Sequence, residues 1–109
     1  METVTLYSTW PSVEGAEAAA RELVAERLVA CANILPGARS IYRWEGDIQT
    51  ETEAVMFAKT TAKRALAARD RLLRLHPYEV PCVAALTIRK DASNPAFLAW
   101  IEGEAAALT

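Results

Sequence analysis

His76 is the chain's only histidine and stands in the run Leu75-His76-Pro77-Tyr78-Glu79. An imidazole here invites a metal reading. A selective site needs further ligands, and the positions a helical turn away supply one carboxylate, Glu79, across Pro77. The alternative is a histidine closing a helix, where the dipole favours the imidazolium. The two cysteines, Cys31 and Cys82, lie far apart in strand-like runs and form no C-x-x-C pair. Buried, inert thiols are expected there. Glu51 and Glu53 share one side of a polar strand segment and are expected to be solvated, with at most weak affinity for a hard cation.

A second constellation comprises Tyr42, Trp44, Lys59, Tyr78 and Glu79. Aromatic walls, one ammonium and one carboxylate suit a cleft for a small anionic or amphiphilic ligand, formed where hairpin and loop ends of adjacent subunits meet. The competing reading makes Tyr42 and Trp44 anchors of a subunit interface, a common place for aromatics.

Catalytic patterns are absent. The sequence holds no G-x-S-x-G, P-loop or H-E-x-x-H run and no second histidine to serve as a base. A non-enzymatic binding protein with no required cofactor is expected. The net charge is −2 and no Lys/Arg run exceeds two residues, which argues against nucleic acid. No apolar run approaches the roughly 20 residues of a membrane helix. No basic segment followed by an apolar stretch opens the chain, so a cytoplasmic location is expected.

The elements that must position these residues follow from periodicity. The 109 residues make one domain by length. The abundance of alanine implies a core of small side chains with a few large ones. A strand is predicted over 1–9, then a helix over 13–28, capped by Ser12, with Ala16, Ala19, Ala20, Leu23, Val24 and Leu28 as its apolar stripe. Residues 31–46, CANILPGARSIYRWEG, alternate as a strand on both sides of Pro36-Gly37, which reads as a bulge. Glu45-Gly46 turns the chain into a return strand over 48–59, making a long bent hairpin. Thr60-Thr61 caps a helix over 62–76 with the stripe Ala62, Ala65, Leu66, Leu72 and Leu73, ended by Pro77. A strand over 80–89 places Val80, Cys82, Ala84, Leu86 and Ile88 on one face, and Asn94-Pro95 starts a last helix running to about 107. Strand-helix-strand twice over is the split βαβ plan of an α+β, ferredoxin-like sandwich, here with an extended bent hairpin and an extra C-terminal helix. Two helices cover one sheet face. The third covers part of the other, so self-association is expected to finish it.

The runs at 31–46, 75–81 (LHPYEVP) and 94–101 (NPAFLAWI) resemble the CutA family, the divalent-cation tolerance proteins. The resemblance spans almost the whole chain as a single CutA-like domain, 1–109. It implies a ferredoxin-like fold, a homotrimer in which the hairpin pairs with strands of the neighbouring subunit, and a link to tolerance of copper and other divalent ions. Some members carry a cysteine near the end of the first strand and a His-His pair before the Pro-Tyr. This sequence has Ser8 at the first place and Leu75-His76 at the second, so a thiolate and one imidazole are lost as ligands. Other roles that suit the same architecture are a trimeric sensor of a small anionic ligand and a protein-interaction scaffold.

Overall fold

The computed structural model describes residues 2–106. The chain runs β1 (Thr3–Trp10), α1 (Val13–Ala25), β2 (Cys31–Trp44), β3 (Asp47–Thr61), α2 (Ala62–Leu75), β4 (Val83–Ile88) and α3 (Pro95–Glu104). The strands form one sheet in the order β2-β3-β1-β4 with antiparallel neighbours. This is the ferredoxin-like α+β arrangement predicted. Its N-caps fall where capping side chains stand: Ser12 accepts from the Gly15 N–H, Thr61 from the Arg64 N–H and Asn94 from the Ala96 N–H.

Residues that alternate along β1 and β3 give the sheet its inner face. Val4, Leu6 and Trp10 lie with Met56, Ala58 and Ala54 beneath Ala16, Ala19, Ala20 and Leu23 of α1 and Ala68 and Leu72 of α2. Alanine on both sides lets the helices approach closely, and Trp10 and Met56 fill the remaining volume. A smaller cluster of Ala30, Leu98, Ile101 and Ala105, with Ile88 against it, seats α3 on the other side.

The hairpin is as long and bent as expected. Pairing slips between Leu35 and Ala38, and Gly37 takes φ 81° at the bulge. At the tip, Glu45 (φ 50°) and Gly46 (φ 87°) form a two-residue turn of the primed type, which suits the twist of the flanking strands. That turn sets the register, with Trp44 opposite Asp47 and Tyr42 opposite Gln49.

Several boundaries and faces differ from the prediction. The first helix stops at Ala25 rather than 28, because Arg27 enters the left-handed region at φ 58°. The Leu28 N–H then bonds Leu23 O and the Arg27 N–H bonds Val24 O, a Schellman closure without glycine. Its guanidinium bonds Gly103 O and Glu104 O at the end of α3, which offsets the strain. Val24 is exposed. On α2 the buried residues are Ala68 and Leu72, whereas Leu66 is 65% exposed and Leu73 40%. β4 begins at Val83, so Val80 and Cys82 lie outside it, and both are exposed. Cys31 is only partly buried. Neither thiol is therefore a core residue. α3 ends at Glu104, where the Ala105 N–H bonds Ile101 O. The predicted ends at 1 and 107 lie outside the described residues.

Candidate functional site

Pro77 shapes the site. It forbids a further helical turn and drives the preceding His76 into extended backbone, φ −80° and ψ 137°. The chain therefore leaves α2 sharply, and residues 77–80 run beside the hairpin. Together they enclose a cleft of about 550 Å³. Tyr42, Trp44, Gln49 and Glu51 line it from the hairpin, and Pro77, Tyr78, Glu79 and Val80 from the segment after α2.

Four of the five predicted cleft residues thus meet: Tyr42, Trp44, Tyr78 and Glu79. They meet within one chain, where hairpin and loop ends of adjacent subunits were expected. Lys59 does not join them. It lies at the base of the hairpin opposite Cys31, with its ammonium donating to Asn33 Oδ1. Alternation along a strand fixes a side chain's face but not its distance from the tip, so the face pattern could not exclude Lys59. Without it, no Lys or Arg among the described residues lines the cleft.

Two carboxylates read as solvated have a larger part. Glu53 is only 7% exposed and accepts the phenolic O–H of Tyr78 at 3.0 Å. Burial, helped by Glu53, pushes the Tyr78 phenol up to about 12. A hydrogen bond with Glu51, with burial adding to it, raises the Tyr42 phenol as well. The register set by the Glu45-Gly46 turn was the signal that would have found Glu51 and Gln49, since it places both beside Tyr42.

His76 is 7% exposed and is committed at both nitrogens. Nε2 lies 2.7 Å from Thr9 O and Nδ1 lies 3.1 Å from the Tyr78 N. The carbonyl requires a donor and the N–H an acceptor, so the ring is the Nε2–H tautomer. The imidazolium expected from the helix dipole would break the second bond. The ring also packs against Trp10 at 4.1 Å and Tyr78 at 4.8 Å. Ser8, the other position at which a metal ligand is absent, accepts the Trp10 indole N–H at 2.8 Å. The two positions are thus joined through Trp10 in a hydrogen-bonded, stacked cluster. Such a cluster does not fit a copper site within one chain. Among the described residues, no three His, Cys, Asp or Glu side chains gather to hold a metal ion.

Burial raises the Cys31 thiol, and nearby Lys59 counteracts part of that rise. Neither residue lines the cleft.

With this geometry established, comparison with known proteins decides the family. The family described as CutA1 divalent ion tolerance protein matches residues 4–104. The chain belongs to the CutA1 family. It is 44% identical over 101 residues to the divalent-cation tolerance protein CutA of Thermus thermophilus, covering 93% of this chain and 95% of that one. Against the protein of the same name from Archaeoglobus fulgidus it is 38% identical over 97 residues, covering 89% and 92%. Among solved structures, CutA from Xylella fastidiosa superposes with a TM-score of 0.90 at 40% identity, covering 97% of this chain and 100% of that one. CutA1 membership carries a name for tolerance to divalent ions and no named reaction.

Proposed function

We propose that the chain is a non-enzymatic binding protein that acts as a cytoplasmic homotrimer in the response to divalent ions. The observation that carries the assembly is the sheet face turned away from α1 and α2. Leu35 and Leu86 on that face are each 50% exposed, and Tyr7 and Phe57 stack beside them with centroids 5.5 Å apart. The Thr5 hydroxyl is buried there with no hydrogen-bond partner among the described residues. α3 covers only the end of the face near Ala30 and Ile88. An open apolar face is stabilised by covering it, and closed symmetry does so without leaving a free end.

The hairpin supports the same reading. β2 is an edge strand, and Ile41 and Ile48 are about 70% exposed (71% and 69%) on the side opposite the cleft. A neighbouring strand would satisfy the open edge. Tyr42 and Trp44 serve twice in this reading: they wall the cleft, and the exposed remainder of each ring is available to the neighbour.

Because His76 is committed, a divalent ion such as copper would have to draw ligands from more than one subunit. The sensor of a small anionic ligand has less support, since the cleft lacks Lys59. The scaffold reading rests on the exposed Phe97–Trp100 stack, 6.0 Å between centroids, and competes with trimer contacts for the same kind of surface. A cytoplasmic location is this chain's own proposal, because the Archaeoglobus fulgidus structure carries the description periplasmic.

Light scattering tests the assembly. The natural protein is expected at three chain masses, and a variant with Leu35→Glu and Leu86→Glu at one. A natural protein that runs as a monomer contradicts the proposal.

A further inference from the structure

We infer that the cleft between the hairpin and residues 77–80 binds an organic monocation of the alkylammonium class. The cleft's volume, about 550 Å³, lies within the range of small-molecule sites. Its walls are the rings of Trp44, Tyr42 and Tyr78, and aromatic faces attract a cation through their quadrupoles.

Among the described residues, the charged side chains lining it have one sign. Glu51 and Glu79 line the cleft, and Glu53 stands behind Tyr78. The nearby guanidiniums are held elsewhere: Arg39 bonds Thr52 Oγ1 and Arg43 bonds Gly46 O. The register puts both arginines on the side of the hairpin opposite Tyr42 and Trp44. The Tyr42 phenol is raised chiefly by its hydrogen bond with Glu51, which places that carboxylate beside the ring.

The same features discriminate among ligand classes. An anion would face carboxylates with no counter-charge. A hard divalent cation keeps an oxygen shell, which ring faces cannot replace. An alkylammonium joins one charge to an apolar chain, so its alkyl part can lie on the rings while its N–H donors meet Glu51 or Glu79. Its biological purpose rests on the binding role proposed above. The site itself lies within one chain, so a ligand titration and a mass measurement can fail separately.

The test is a nuclear magnetic resonance titration of the natural protein, following the Trp44 indole signal. The probes are n-butylammonium, n-butyrate, 1-butanol and Mg²⁺. A saturable shift is expected with n-butylammonium, with 1-butanol at least about tenfold weaker and n-butyrate without effect. A Glu51→Gln, Glu79→Gln variant is expected to weaken n-butylammonium about tenfold. Both residues are exposed, so folding is not at stake, and circular dichroism would verify it. Absence of a saturable shift with n-butylammonium, equal binding of n-butyrate, displacement of n-butylammonium by Mg²⁺, or unchanged binding in the variant each overturns the inference.

Discussion

Tyr78 donates its phenolic O–H to Glu53 Oε2 at 3.0 Å, tying the segment after α2 to the return strand of the hairpin. The bond holds Tyr78, one wall of the cleft, against β3. The folded-state phenol is raised from 10.0 to about 12. The sign follows directly: the stabilisation is fully present below pH 10 and is lost as pH rises through about 12. Ultraviolet titration of tyrosinate should therefore show a phenol ionising near pH 12 that is missing in Tyr78→Phe. Urea denaturation at neutral pH should show that variant less stable by about 1–3 kcal/mol, since Glu53 is left buried without this donor. An unchanged titration curve in Tyr78→Phe would contradict the bond.

His76→Ala should behave as a core mutation. It removes a buried ring stacked on Trp10 and leaves Thr9 O and the Tyr78 N–H without their partner. A loss of about 2–4 kcal/mol is expected in urea denaturation. Copper(II) stoichiometry, measured by calorimetry on the folded variant, should be the same as in the natural protein. Loss of one copper per chain together with unchanged stability would reverse this assignment.

Two glycines should respond oppositely to alanine. At Gly37 no atom lies within 4 Å of the added Cβ, yet φ is +81°, so Gly37→Ala should cost about 1–2 kcal/mol from backbone strain alone. Gly103 lies inside α3 with equally open space and no positive φ. Gly103→Ala should add about 0.5–1 kcal/mol, because alanine loses less freedom on entering a helix. Thermal denaturation of both variants checks the pair, and a shift of the same sign in each would contradict it.

Most of the fold was legible because its signals are local. The caps at Ser12, Thr61 and Asn94, the bulge at Pro36-Gly37 and the turn at Glu45-Gly46 each act within a few residues. What escaped was set by tertiary contact. In α2, Leu72 is core as the stripe has it, but Leu66 and Leu73 are exposed and close packing on the sheet buries Ala68 instead. Arg27 could close α1 without a glycine because carbonyls at the end of α3 receive its guanidinium. Val80 and Cys82 continued the alternation of β4, yet that strand begins only at Val83, and Val80 instead lines the cleft beside the hairpin. The cleft was legible in its aromatics and in Glu79. Its charge was not, because excluding Lys59 and admitting Glu51 both require the pairing register.

Native mass spectrometry of the protein as purified, before any metal is added, tests the central claim most directly. A homotrimer predicts one dominant species at three times the 11.9 kDa chain mass. A dominant single-chain species at micromolar concentration would contradict the account, since the exposed Leu35, Leu86, Ile41 and Ile48 would then be uncovered in solution.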